Sequence, residues 1–278
     1  MNKIGILYIC TGKYKVLWPE FYESAEKYFL PECEKHYFVF TDAEEVAYEH
    51  ENDKIHRMYQ EPRGWPYATL LRFETFLLRE EELKLMDYLF FFNADAEFLN
   101  PIHEDMFLPR AELKEDIVVV RHSGYHLTKP YDFTYDRNPF CKAFIPYGKG
   151  EIYVTGSVNG GTSEGYLRMC RILAERTRVD LAKNIIALWH DESHLNKYIL
   201  EYDHYRLLTP SYSYPSQPWW PVPVPYEPMI TLRDKTKYFD VKKFKSETPK
   251  IRKNIVEFFY DGTARCIIKI LKVIRVLE

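Results

Sequence analysis

The chain has 278 residues, 46% apolar and 17% aromatic, enough to bury a substantial core in one large domain or two small ones. Its formal net charge of −3 argues against a general nucleic-acid binder, which is normally basic. The charge is uneven: residues 231–278 hold 13 Lys and Arg against 6 Asp and Glu, leaving −10 on residues 1–230, so the tail asks for an anionic partner.

Ile4–Cys10, IGILYIC, reads as a buried strand, followed by the turn Thr11-Gly12-Lys13. Residues 18–30 have helical spacing with Pro19 near the start, and His36–Asp42 reads as a second strand. Strand, helix and strand at this spacing predict a βαβ unit, whose ligand site lies beyond the carboxyl ends of its strands. A long helix carrying Arg72 and Glu74 is expected over 67–86. The apolar strand Tyr88–Phe92 then stops abruptly at Asn93-Ala94-Asp95-Ala96-Glu97, polar at alternate positions, which marks a strand end facing either a pocket or solvent. Ile117–Val120 is a further strand, ending at Arg121-His122.

Gly156-Ser157-Val158-Asn159-Gly160-Gly161-Thr162 is read as a glycine-rich connection into a helix over 163–178. It lacks the Lys-Ser/Thr of a P-loop, so its glycines are expected to allow close backbone approach or positive φ. Residues 210–228 hold seven prolines and two tryptophans and predict an ordered, extended segment wrapping a surface. Arg265–Leu277 places Lys269, Lys272 and Arg275 at every third position among Ile, Leu and Val. That pattern fits a basic helix on an anionic membrane face, and equally a helix packed on the body or at an oligomer interface. No internal repeat is evident.

The five cysteines, Cys10, Cys33, Cys141, Cys170 and Cys266, are odd in number and without CxxC spacing, which predicts a reducing compartment and no zinc site. Lys3 runs directly into the first strand and no apolar run reaches bilayer length, so a cytoplasmic protein is expected, with the tail as a possible peripheral membrane contact.

The densest polar stretch is residues 183–198, KNIIALWHDESHLNKY. Asp191-Glu192-Ser193 is flanked by His190 and His194, with Asn196 and Lys197 one turn on. If a helix begins near His190, both acids stand at its N-terminal turn, where backbone N–H groups and the macrodipole favour negative charge. Two adjacent carboxylates there can divide labour, one binding a sugar hydroxyl and the other meeting a reacting carbon. The plainer alternative is an N-cap aspartate with a solvated helix behind it.

With WHDESHLNKY, the Asn93-Ala94-Asp95 strand end, ESAEKYF, HYFVFTD, FTYDRNP, AFIP and GGT on the page, the chain resembles glycosyltransferase family 6 over about residues 3–240. This is the group of the histo-blood-group A and B transferases and the α-1,3-galactosyltransferase. The resemblance implies an α/β fold of the GT-A type, expected over 1–245, and a bacterial member without the anchor and stem of animal enzymes; the basic tail with its amphipathic helix is expected over 246–278 from the residue pattern. It further implies retaining transfer of N-acetylgalactosamine or galactose from a UDP-sugar to an acceptor galactose 3-hydroxyl. Glu192 takes the family's catalytic glutamate position. Asp191, Tyr14, Arg72, Asn93, Asp95 and the donor-selecting segment Thr155-Gly156-Ser157 fall on the donor side, with a family lysine aligning to Lys235 or Lys237. His122, Thr134 and Trp189 match acceptor contacts.

Animal members carry Asp-x-Asp and need Mn²⁺, whereas bacterial relatives typically carry asparagines and work without metal. With Asn93 and Asp95 this chain is intermediate, and the expectation is no metal and no other cofactor. Cations of the basic segment (Arg233, Lys235, Lys237, Lys242, Lys243 and Lys245) are then expected to meet the diphosphate, with the segment ordering over bound UDP. The small Ser157 admits an N-acetyl group. The expected donor is UDP-GalNAc, with UDP-Gal as runner-up, and the expected acceptor is a fucosylated galactose (Fucα1-2Gal). A glycan-binding protein without catalysis is the competing class.

Overall fold

The computed structural model describes residues 1–217 and 225–241. A seven-stranded sheet is built from β1 (Lys3–Ile9), β2 (Glu34–Thr41), β3 (Ile55–Tyr59), β4 (Tyr88–Phe92), β6 (Ile117–Arg121), β7 (Val154–Thr162) and β8 (Tyr205–Leu208). Its order is β3-β2-β1-β4-β7-β6-β8. Every pair is parallel except the two made by β7. A second, three-stranded sheet joins β5 (Ala96–Phe98), β10 (Ile230–Leu232) and β9 (Tyr214–Pro215), in the order β5-β10-β9. The α/β class expected from the sequence is thus present.

The order reverses at β1: the chain moves outward to β2 and β3, then returns to the other side of β1 as β4. In open α/β sheets ligands bind at such a switch point, beyond the carboxyl ends of the strands. Tyr14 follows β1 and Asn93–Asp95 follow β4, so both lie there. Because β7 runs the opposite way, its beginning, Val154–Gly156, reaches the same edge.

Helix α1 (Trp18–Tyr28) buries Trp18, Phe21 and Ala25, one stripe of a 3.6-residue period, against β1. Tyr8 meets Trp18 and Phe21 at ring-centroid distances of 5.2 and 4.3 Å. Phe29, Phe90, Phe92 and Phe98, with Phe107 of α5 (Glu104–Phe107), fill the rest of this face. The opposite face is covered by α3 (Arg72–Leu77), α6 (Ser163–Leu181) and α7 (Asp191–Glu201), through Phe73, Phe76, Tyr166, Leu173 and Leu195.

Two expectations are corrected. The single helix over 67–86 is three short ones, α2 (Tyr67–Leu70), α3 and α4 (Glu80–Leu83), divided where Leu71 (ψ 12°) and Arg79 (φ −122°) leave helical geometry. The first break starts a new helix at Arg72 and brings its guanidinium to the sheet edge. The second correction is that the stretch 156–162 is strand, not connection. Its glycines are there because neighbours come too close. A Cβ on Gly160 would stand 2.1 Å from Phe90 Cδ1, and one on Gly161 (φ +154°) 2.1 Å from Asp116 O.

Of the proline-rich 210–228 segment, residues 210–217 and 225–228 are ordered against the body, and Trp219 and Trp220 lie outside the described residues. So do Lys242, Lys243, Lys245, Cys266 and the whole 246–278 tail with its predicted helix. Cys10, Cys33, Cys141 and Cys170 are buried free thiols. No helix among the described residues is long and apolar enough to cross a membrane.

Candidate active site at the carboxyl edge of the sheet

Helix α7 starts at Asp191, with His190 as its N-cap at φ 52° and ψ −122°, a conformation that favours glycine. Both acids therefore occupy the first turn, as the spacing predicted, but neither caps the helix. The turn is locked to β7 by Asn196, whose Oδ1 accepts from Val154 N–H at 2.9 Å and whose Nδ2 donates to Val154 O at 2.8 Å. An amide side chain here continues the strand's own hydrogen-bond ladder into the helix.

Glu192 is held at both oxygens. Gly156 N–H donates to Oε2 at 2.8 Å, and the Tyr153 hydroxyl donates to Oε1 at 2.9 Å. A Cβ on Gly156 would lie 3.1 Å from Asp191 Oδ2 and 3.2 Å from Glu192 Cβ, so the glycine lets the helix turn press on the strand. Burial raises the Glu192 carboxyl above the usual range, and the Gly156 and Tyr153 donors and the Arg72 charge pull part of that back.

Asp191 is ion-paired with Arg72 at 3.0 Å, both side chains nearly inaccessible. Arg72 also donates to Gly156 O at 2.7 Å and lies 3.9 Å over the Phe91 ring. Burial nevertheless dominates, pushing Asp191 up to about 6 against the opposing Arg72 charge. Arg72 Nε has no hydrogen-bond partner among the described residues, leaving a buried donor at the site.

The β4 end forms a second station. Asn93 N–H donates to Ser157 O at 2.8 Å, and Tyr8 donates to Ala94 O at 2.8 Å, fixing the turn. Strand β10 pairs antiparallel with β5, and Arg233 N–H extends that ladder to Asp95 O at 2.8 Å. Two residues on, the Lys235 ammonium is ion-paired with the Asp95 carboxylate. Burial opposes the Lys235 charge, but Asp95 more than offsets this and holds it above the ordinary lysine range. Tyr14 packs edge-on against Phe239 at 5.1 Å, and its hydroxyl is pushed up by burial, with the Lys235 and Asp95 charges acting on it in opposite senses.

Acceptor-side candidates also converge. Trp189, 47% exposed, presents its indole at the surface, and its Nε1–H donates to Thr134 Oγ1 at 2.9 Å. Thr134 donates to the Tyr153 hydroxyl at 3.3 Å and stands 2.8 Å from the Tyr125 hydroxyl. His122 meets Tyr153 and Tyr125 edge-on or tilted, at 5.7 and 4.9 Å. Burial pulls its pKa down to about 4, so it is neutral at pH 7. Its Nδ1 accepts from Gly124 N–H at 3.0 Å, so Nε2 carries the proton and is a donor.

Some predicted residues stand apart. Arg233 is not available to a diphosphate: it is buried, bonding to Leu17 O and Ala94 O and ion-paired with Glu20 at 2.5 Å. Lys237 is exposed, so of the two aligned lysines only Lys235 meets the β4 end. Thr155 and Ser157 are buried, Oγ to Oγ at 2.8 Å, and Ser157 Oγ is 2.5 Å from Ser213 Oγ, so their hydroxyls bond mainly to one another. His194 faces Asp180 in the interior, and Lys197 pairs with Glu201. Tyr153 and Ser213 carry no sequence signal that marks them for the site, whereas Asn196 belongs to the dense polar stretch that pointed to it.

A model of glycosyltransferase family 6 matches residues 2–230. The chain belongs to glycosyltransferase family 6. It is 36% identical over 214 residues to the O-antigen biosynthesis glycosyltransferase WbnI of Escherichia coli, covering 77% of this chain and 88% of the relative. It is 30% identical over 217 residues to the globoside α-1,3-N-acetylgalactosaminyltransferase 1 of Gallus gallus, and 28% over 220 residues to the histo-blood group ABO system transferase 2 of Rattus norvegicus. Those alignments cover 75% and 77% of this chain and only 61% and 64% of the animal proteins. The family 6 chain is thus a hexosyltransferase with a GT-A type fold, taking a nucleotide-sugar donor and a glycan acceptor.

Proposed function

We propose that this enzyme transfers N-acetylgalactosamine from UDP-GalNAc, with retention, in α-1,3 linkage to the galactose of a fucosylated acceptor, and does so without a metal ion. The observation that carries the reading is the Glu192 carboxylate, gripped by Gly156 N–H and Tyr153 beside the Asp191–Arg72 pair at the sheet's carboxyl edge. In this reading Asp191 and Arg72 hold the donor sugar, and Glu192 stands on the face of C1 opposite the diphosphate. The C1–O bond breaks with its electron pair leaving on UDP, and the acceptor O3 forms the new bond to C1. Its proton goes to the departing phosphate oxygen. Retention then follows either from a glycosyl-Glu192 intermediate or from an ion pair attacked on the front face. Both routes require an ionised Glu192.

The donor set at the β4 end supports metal-free transfer. Hard dications want several anionic oxygens. Here Asn93 offers a neutral amide, and the Asp95 carboxylate already pairs with Lys235. These residues do not fit Mn²⁺ or Mg²⁺, and the Lys235 ammonium supplies positive charge where a diphosphate would lie. Exposed Trp189, with Thr134 and the His122 Nε2–H, supports a platform for an acceptor sugar, whose apolar face suits an indole.

UDP release from UDP-GalNAc and UDP-Gal, with a Fucα1-2Gal acceptor and with or without EDTA, tests the whole reading. The expected result is acceptor-dependent release from UDP-GalNAc that EDTA does not alter. A strict Mn²⁺ requirement overturns the metal-free part, and preference for UDP-Gal overturns the donor. Glu192→Gln should abolish transfer, by on the order of 1,000-fold or more, while UDP binding is retained.

A further inference from the structure

The hydroxyl on Tyr153 sits between the exposed acceptor platform and the buried carboxylate. The ends of the connection fix its direction. An indole N–H can only donate, so Trp189 donates to Thr134. Thr134 then passes its own proton toward the Tyr153 oxygen, and Tyr153 donates to Glu192 Oε1. An ionised carboxylate can only accept, so every donor in the series points at Glu192, and each bond polarises the next.

The Tyr153 ring is itself immobile. It is 2% exposed, stacked on Tyr135 at 5.4 Å and packed on Tyr125 at 4.5 Å and Phe133 at 5.7 Å. A hydroxyl on so fixed a ring gives the carboxylate a fixed orientation. Gly156 N–H fixes the other oxygen, so together the two donors define the carboxylate plane.

We propose that Tyr153 is a positioning residue for Glu192, and that Trp189–Thr134–Tyr153 registers a bound acceptor against that carboxylate. The inference rests on the proposed role of Glu192. An acceptor sugar seated on Trp189 and bonded to Thr134 adjusts the same hydroxyls that hold Glu192, so acceptor position and carboxylate orientation are set together. The titratable and charged groups facing Glu192 are Tyr153 and Tyr125 from the connection between β6 and β7, Arg72 of α3, and Asp191 on its own helix. Among these, Tyr153 is the one that donates a hydrogen bond to the carboxylate.

Removing a donor from the charged form raises a carboxyl pKa further. The acid limb of kcat therefore moves to higher pH in Tyr153→Phe, since activity is lost as pH falls through the Glu192 pKa. The test is a pH profile of kcat, acceptor KM and UDP binding for wild type, Tyr153→Phe, Thr134→Val and Glu192→Gln. In Tyr153→Phe, which keeps the ring stack, kcat is expected to fall about 10- to 100-fold at neutral pH, with UDP affinity unchanged and the acid limb raised by about half a unit or more. Thr134→Val keeps the volume and cuts Trp189 from Tyr153, so acceptor KM is expected to rise about 3- to 10-fold with a smaller loss in kcat. With Glu192→Gln inactive, an unmoved kcat and acid limb in Tyr153→Phe overturn the role of Tyr153 and leave Glu192 in place. A Glu192→Gln enzyme that still transfers overturns the assignment of Glu192, and the role of Tyr153 with it.

Discussion

Asp191 and Asp95 each face a cation at the same edge of the sheet, but they are built into the molecule differently. Asp191 and Arg72 are both buried, on two helices of the body, and Arg72 is fixed further by Gly156 O and the Phe91 ring. The Asp95 partner, Lys235, is 31% exposed and stands on a short turn delivered through β10. In one pair both side chains are screened from water; in the other the carboxylate is buried and the ammonium is wet. In the proposed function the first pair holds the donor sugar and the second meets the diphosphate.

Removing one partner from each pair should expose that difference most strongly at Arg72. Arg72→Met removes the charge that opposes burial, so Asp191 is left unpaired in the interior and driven to take up a proton, which costs on the order of 3–5 kcal/mol. Urea unfolding should show this loss, and adding Asp191→Asn should restore much of it without restoring transfer. A stable single variant would mean that water reaches Asp191 and that the two stations are alike.

Lys235→Ala should behave in the opposite way. Asp95 is buried, but the Lys235 ammonium is 31% exposed and water can take its place, so stability should fall by less than in Arg72→Met, by about 1–3 kcal/mol. Loss of a charge-assisted bond to the diphosphate, worth about 1.5–3 kcal/mol, should raise donor KM by about 10- to 100-fold. Asp95→Asn sharpens the point further. If Asp95 competes with the diphosphate for Lys235, the amide should tighten UDP binding a few-fold, on the scale of one partly screened charge. Weaker UDP binding in calorimetry would show that Asp95 presents the lysine and does not compete for it.

The two stations also differ in how far they could be read from the sequence. The strand ends at Asp95 and His122 were legible because a fully apolar run stops at polar residues, and the α7 acids because dense polar groups follow an apolar run. Lys235 was one of two aligned lysines, and only the pairing of β10 with β5 separates it from Lys237. That pairing joins residues more than 130 positions apart through three-residue strands, too short for a periodic pattern. Arg233 was misassigned for a related reason: charge shows in a sequence, but the backbone carbonyls that engage a guanidinium do not. Tyr153 was passed over because a tyrosine among 23 carries no signal of its own. The strand in 154–162 was hidden by glycines, which local propensity counts against a strand although packing against Phe90 and Asp116 demands them.

The smallest effect expected is at His190, where the buried station meets the backbone. Its φ of 52° and ψ of −122° suit glycine, and a side chain there costs about 1–3 kcal/mol. Its ring recovers part of this by meeting Trp65 edge-on at 5.0 Å, a contact worth about 0.5–1.5 kcal/mol. His190→Gly exchanges one for the other, so the melting temperature should stay within a few degrees of wild type. His190→Val keeps the strain, adds a branched Cβ and gives up the ring contact, so it should melt distinctly lower. If both variants melt together, the turn before Asp191 relaxes freely and the station is not held from the backbone. If only valine is harmful, the strained N-cap is part of what points Asp191 at Arg72 and Glu192 at Gly156.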